Sequence, residues 1–328
     1  MQKIPLMWRW SLRDLRERWL QVLGISVVIA LGVAVSGGLG STTPWRQEAL
    51  DKSYEMLNTF DLRLELVQGS TLQADALAEA LQTVPHVDWI QDLQVRLIFP
   101  TTVNASTGER PLLVSGRVVG AQVSGRDADI NQLHVTEGRG LEPGDAGEPR
   151  CVVEYNFATY HELTPGDRKL YVGGGHALEA VGVGIAPEYF WVMDESSGGL
   201  GLLAQDRFAV LFVPLQTAQA MLDRPGQVNG AVITVADDLE KADLDLLKAE
   251  VREAMTRTFP QVGFNLDKRS EDDVHTFLYE DVPGDQQMLD TFSFILLAGA
   301  AFGAFILISR IVVCGADSSN AAIRHRAA

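Results

Sequence analysis

Residues 20–39, LQVLGISVVIALGVAVSGGL, and residues 291–309, TFSFILLAGAAFGAFILIS, decide the architecture of this chain. Neither stretch contains a charge, and the first lies within an uncharged run over 19–45. A helix covers the hydrocarbon core of a bilayer with about 20 apolar residues. Each run therefore reads as one transmembrane helix, the first over 19–40 and the second over 291–313. The chain between them, 41–290, has the composition of a folded domain and reads as one large ectodomain.

The flanks set the orientation, because Lys and Arg in short loops stay on the cytoplasmic side. Lys3, Arg9, Arg13, Arg16 and Arg18 outnumber Asp14 and Glu17 in segment 1–18, and Arg310, Arg324 and Arg326 outnumber Asp317 after the second run. Both termini are expected inside. The chain's net charge of −16 is the sum of these two basic tails and a more acidic ectodomain, an acidity that argues against nucleic acid and anionic headgroups as its natural partners. The competing reading of the first run is a cleaved signal peptide ending near Ala34-Val35-Ser36, but its apolar stretch exceeds the usual h-region. Cys151 falls in the ectodomain and Cys314 beyond the second run, so no disulfide joins them, and a domain this long buries a sufficient core without one.

Two stretches of the ectodomain repeat one plan. Residues 62–67 (LRLELV) alternate as a strand, and a helix follows with Ser70 and Gln73 in capping-box spacing and Ala74, Leu77, Leu81 and Val84 on one face. A strand near 95–99 completes the unit. Residues 230–236 (GAVITVA) start the second unit, whose helix aligns Leu244, Leu247, Val251 and Ala254 before a strand at 262–266. Thr83-Val84-Pro85-His86-Val87 and Thr258-Phe259-Pro260-Gln261-Val262 end the two helices alike, since proline stops a helix and extends its predecessor. These βαβ halves, about 60–109 and 228–268, are expected to close into one split βαβ, ferredoxin-like sheet.

Residues 110–215 lose helical periodicity. Short β-rich stretches (PLLVSGRVVGA, RCVVEYNFA, RKLYVGG, HALEAVGVGI, FAVLFVPL) alternate with turn signals such as Glu142-Pro143-Gly144-Asp145 and Thr164-Pro165-Gly166-Asp167. They read as an inserted β-rich subdomain, with a loop at Gly198, Gly199 and Gly201 between its last strands. Residues 41–58 and 273–290 read as helical stalks. The fold class is thus α+β, with two transmembrane helices enclosing the ectodomain.

No catalytic, cofactor or metal set emerges. His161-Glu162 starts like a zinc-protease helix, but Pro165 stands where the second histidine is needed. Asp127, Asp129 and Asn131 have calcium-loop spacing, yet Gln132 occupies the position that requires glycine. Gly173-Gly174-Gly175 lacks the lysine and hydroxyl of a phosphate loop. The candidate functional residues are instead small residues for helix packing: Gly32, Ser36 and Gly40 at four-residue spacing on the first run, Gly299 and Gly303 on the second.

The order of parts resembles the FtsX-like, MacB-type ABC transporter permeases: a basic leader with Trp8, Arg9 and Leu12, a span, a βαβ half, a β insertion, a second βαβ half and a second span. Glu137-Gly138-Arg139, Cys151-Val152-Val153 with Phe157-Ala158, Leu163-Thr164-Pro165-Gly166-Asp167, Val181-Gly182-Val183, Ala186-Pro187-Glu188-Tyr189-Phe190 and Phe212-Val213-Pro214-Leu215 carry the resemblance, which covers about residues 8–312. It implies a porter-like subdomain with an inserted β subdomain in a multi-pass protein of the bacterial inner membrane. It also implies a non-catalytic permease driven by a separate cytoplasmic ABC ATPase. Two copies, or this chain and a paralogue, would handle a lipid-linked, peptide or drug cargo outside the membrane. A periplasmic adaptor is left open, and membrane lipid is the one other expected partner. A two-span sensor or an anchored interaction module is the alternative, although 314–328 is too short for a signalling output domain. Ser309-Arg310-Ile311-Val312 still resembles the family, whereas 313–328 does not, and reads as a truncated or frameshifted cytoplasmic tail.

Overall fold

A computed structural model describes residues 19–40, 42–106, 111–125, 129–167, 169–192, 206–236 and 239–326. The chain divides into two compact units, Leu50–Leu278 and a second made of Met1–Ala49 with Tyr279–Ala328. It begins with helices α1 (Trp19–Gly40) and α2 (Thr42–Met56), the latter ending inside the first-named unit.

That unit opens with β1 (Leu62–Leu66), where Leu62, Leu64 and Leu66 turn inward and Arg63 and Glu65 turn to the other face. The short β2 (Leu72–Gln73) leads into α3 (Ala74–Gln82), which buries Leu77, Ala80 and Leu81. The helix starts later than the Ser70/Gln73 spacing predicts. Gln73 is the N-cap and makes no side-chain cap bond, because its segment is drawn into pairing with Gln227 and Val228, and Thr71 Oγ1 donates to Gln227 Oε1 at 2.6 Å. After Thr83 caps the helix end, β3 (Ile90–Asn104) runs for 15 residues.

The chain continues through β4 (Leu113–Ala121), β5 (His134–Gly138), β6 (Arg150–Glu154), α4 (Tyr155–Tyr160), β7 (Lys169–Val172), β8 (His176–Ile185), β9 (Phe208–Pro214) and α5 (Leu215–Met221). The β-rich stretch RCVVEYNFA is strand only as far as Glu154. Its carboxylate accepts from the backbone N–H groups of Asn156 and Phe157, both at 2.9 Å, and so caps α4. Then follow β10 (Gln227–Val228), β11 (Gly230–Val235), α6 (Lys241–Thr258), β12 (Phe264–Lys268) and α7 (Asp273–Arg326).

The strands of the two βαβ stretches interleave as β12-β1-β11-β3, every neighbour antiparallel. The sheet does not stop there. β3 pairs with β11 over its first half and with β4 from Arg96 to Asn104, and the order runs on through β4, β9, β6, β8 and β5. Because β7 pairs with both β3 and β8, the strands β3-β4-β9-β6-β8-β7 close a ring. The segment expected as an insertion is therefore hydrogen-bonded into the same sheet through one long shared strand, and ring closure leaves those strands without free edges. The main core spans both parts of the unit: Leu64, Ala231 and Ile233 meet Leu77, Leu81, Leu247 and Val251 from α3 and α6, and the same cluster runs on to Cys151, Phe157 and Leu211, while Val119, Val152, Tyr189 and Phe212 form a separate one.

In the other unit, α7 contains one helical stretch long and apolar enough to cross a membrane, Gln287–Ile306. Helix α1 is free of charge over its 22 residues, and its described apolar stretch is Val22–Val35. Helix α7 continues to Arg326, so residues 314–326, expected as an unpatterned tail, are helical. Of the expected packing residues, Gly32 meets α7: a Cβ there would lie 3.0 Å from Ala300 Cβ. Gly299 and Gly303 have nothing within 4 Å, so the structure does not bring them against α1. Gly40 and Ser36 lie in α1, with no described side-chain surroundings.

Candidate functional site

The face of the sheet opposite α3 and α6 carries charge where charge is costly. Arg63 on β1 and Arg96 on β3 alternate with core leucines and valines, so strand periodicity itself aims both guanidinium groups away from the main core. Over them folds the turn Pro187–Tyr189 that follows β8, with proline at its first position. This turn places the Glu188 carboxylate between the two arginines, at 8% side-chain exposure. Oε2 accepts from Arg96 Nη1 and, at 2.7 Å, from Asn131 Nδ2, while Oε1 lies 3.5 Å from Arg63 Nη1. Arg63 Nη1 also meets Asp272 Oδ2 at 2.5 Å. Burial pushes the Glu188 carboxyl up, but Arg96 and Arg63 outweigh it and hold it below the ordinary glutamate value. Burial likewise opposes the charge on Arg63, and Glu188, Glu65 and Asp272 together raise it above the ordinary arginine value.

Both connections toward the second unit converge here. Asp272 is the residue before α7, and its Oδ1 accepts from the backbone N–H groups of Val274 and His275 at 3.0 and 3.1 Å. One carboxylate thus caps the helix with one oxygen and holds the sheet with the other. At the end of α2, Leu57 and Asn58 lend their carbonyls to the N–H groups of Gln132 and Asn131, both at 2.9 Å. Asn131 stands at φ +56°, a left-handed conformation that asparagine tolerates, and its Oδ1 accepts from Phe60 N at 3.0 Å. Aromatic rings seal the cluster: Tyr54 lies 5.3 Å from Phe190 and 5.4 Å from His275, and Trp191 lies 5.4 Å from Phe277. Burial, with Arg269 close by, pushes His275 below the ordinary histidine value against Asp272 and Asp51.

Residues 22–254 match the family described as the MacB-like periplasmic core domain. The chain belongs to this family. It therefore carries the extracytoplasmic domain of an ABC transporter permease, a transport protein of a membrane. Similar solved structures include the extracellular domain of the noncanonic ABC-type transporter YknZ from Gram-positive bacteria, at 13% identity and a TM-score of 0.43 over 64% of this chain and 100% of that one. The periplasmic region of MacB from Actinobacillus actinomycetemcomitans is similar at 13% identity and 0.43 over 71% and 98%. A domain of a Porphyromonas gingivalis permease protein is similar at 10% identity and 0.38 over 68% and 97%. No curated protein matches the sequence.

In this MacB-like domain the weak motifs of the sequence have structural employment. His161 Nε2 lies 2.7 Å from the Asp206 carbonyl. Asp129 takes the N–H and hydroxyl of Ser124, and Gly173, Gly174 and Gly175 make the hairpin between β7 and β8. Arg139 grips Asp145 with two hydrogen bonds of 2.7 and 2.9 Å and Arg150 adds a third, which pins the turn after β5 and lowers the Asp145 carboxyl. Trp8, Arg9, Leu12, Asp127, Gly198, Gly199 and Gly201 lie outside the described residues. Sequence reading did not single out Arg63, Arg96 or Asp272. The available signal was two arginines at outward positions of strands whose neighbours are all apolar, beside one acid in Ala186-Pro187-Glu188.

Proposed function

We propose that this chain is the membrane subunit of an ABC transporter in which ATP-driven motion reaches the extracytoplasmic domain through α2 and α7. In this reading α1 and α7 are the two spans, both termini are cytoplasmic, and hydrolysis occurs in a separate ATPase subunit. The interleaved β1, β3, β11 and β12 with α3 and α6 form a ferredoxin-like, porter-like subdomain that moves with α7. A second copy or a paralogue completes the assembly, and the cargo is a lipid-linked, peptide or drug molecule handled outside the bilayer.

One observation carries the reading. The N-cap of α7 is an ion-pair partner of the sheet, so a pull on α7 is delivered to Arg63 and, through Glu188, to β3. A frayed or uncapped connection would dissipate such a pull. The test uses the full chain carrying Cys314→Ser, purified from native membranes with its bound ATPase and spin-labelled at Tyr160→Cys and Met288→Cys. Trapping the ATP-bound state is expected to shift the label distance, and Arg63→Met is expected to abolish the shift while the ATPase stays bound. An unchanged distance in the unmodified junction, or purification without any ATPase, refutes the proposal.

A further inference from the structure

Beside the junction lies a cavity of about 320 Å³ on the face of β3, β4 and β9. That volume equals roughly ten waters at about 30 Å³ each, the size class of a small organic ligand. Val119, Ile130, Leu133, Leu141 and Phe212 give it apolar walls. Its polar groups are almost all engaged. Gln94 Nε2 donates to the Gln122 carbonyl at 2.7 Å, Asn131 uses both ends of its amide, Asp129 holds Ser124, and Glu188 is taken by Arg96, Arg63 and Asn131.

Arg96 is the exception. Its side chain is 3% exposed, its Nη1 binds Glu188, and its Nε and Nη2 have no partner among the described residues. Buried guanidinium N–H groups are seldom left unmade, and the Nε–Nη2 edge presents two parallel donors. Arg96 is part of the cavity wall, so a modest rotation of the guanidinium offers this edge to an occupant. The charge account decides what kind. Arg63 and Arg96 are already matched by Glu188 and Asp272, and Asp129 also lines the cavity, so an incoming anion would add an uncompensated charge in a half-enclosed site. An uncharged carbonyl oxygen accepts from the edge without that cost.

We propose that this cavity binds a small uncharged amide or ester, about the size of a blocked amino acid, with its carbonyl on Arg96 and its apolar group against Val119, Leu141 and Phe212. The site stands independently of the coupling role. The test is isothermal titration of the full chain in lipid nanodiscs with N-acetyl-leucinamide and, separately, with the carboxylate N-acetyl-leucine, empty nanodiscs serving as blank. Saturable binding of the amide is expected, with the carboxylate at least roughly tenfold weaker. Leu133→Trp and Leu141→Trp each narrow the cavity from positions that make none of the ion pairs, and either is expected to abolish binding while the thermal midpoint is unchanged or raised. Absence of saturable amide binding, equal or tighter binding of the carboxylate, or undiminished binding in a stably folded filling variant overturns the proposal.

Discussion

Asp272 holds Arg63 with one carboxylate oxygen at 2.5 Å and caps the first turn of α7 with the other. The sheet and the helix consequently share a single charged group, and neither can lose it alone. Arg63→Met removes the cation that Glu188 and Asp272 both use and leaves two carboxylates partly buried. Breaking a buried pair on one side costs about 3 kcal/mol or more, so the thermal midpoint followed by Trp89 and Trp191 fluorescence should fall clearly. In a double-mutant cycle Arg63→Met and Asp272→Asn should be strongly non-additive, since each removes the same contact. Additive losses would mean that the pair is not an energetic link.

Acidification should loosen the junction in two stages. His275 binds a proton less readily in the folded chain than in the unfolded one, so its share of stability is complete above about pH 6.5 and declines as pH drops from there toward its lowered folded value. Glu188 is held low, so its share is present above about pH 4.5 and is lost as pH falls through its folded value. A pH series of thermal midpoints should show the first decline vanish in His275→Gln. The second should shrink in Glu188→Gln without disappearing, because Asp145, lowered by Arg139, titrates in the same acid range. A first decline that survives His275→Gln would assign it elsewhere.

Gly182 and Gly138 bring β8 and the end of β5 into contact that no side chain permits. A Cβ on Gly182 would overlap the Arg139 carbonyl, and one on Gly138, at φ +73°, would overlap the Val181 carbonyl. Gly182→Ala or Gly138→Ala should destabilise the domain by about 1–3 kcal/mol, read as a lower denaturation midpoint. Gly144→Ala, where nothing lies within 4 Å, is the control and should be close to neutral.

Periodicity made the repeated units legible: Leu77 and Leu81 in α3 and Leu247, Val251 and Ala254 in α6 all face the core. The Thr83 and Thr258 phrases end those helices as proline chemistry requires. Three features were not legible. The start of α3 was set by a partner strand far away in sequence, at Gln227 and Val228, which outcompeted the local cap at Ser70. The 15-residue β3 joins two regions by long-range pairing that no window over its own residues encodes. The junction escaped because Arg63, Arg96, Glu188 and Asp272 come from four separate segments, and each charge looks solvated until the fold brings all four together.

The orientation proposed for the chain can be checked with its own cysteines. Cys151 is fully buried and its thiol is pushed up to about 12 by burial, with Glu179 adding, so it carries almost no thiolate at neutral pH and stays silent toward thiol reagents. Tyr160 on α4 is 65% exposed, which makes Tyr160→Cys an accessible reporter of the extracytoplasmic domain. Applied to spheroplasts, a membrane-impermeant maleimide should label Tyr160→Cys at once and leave the unmodified chain unlabelled until lysis, when Cys314 becomes reachable. Should the unmodified chain label before lysis, and a Cys314→Ser variant fail to, Cys314 is outside and the two-span arrangement is wrong. Labelling that persists in Cys314→Ser would instead place the reactivity on Cys151, contradicting the burial that makes it inert.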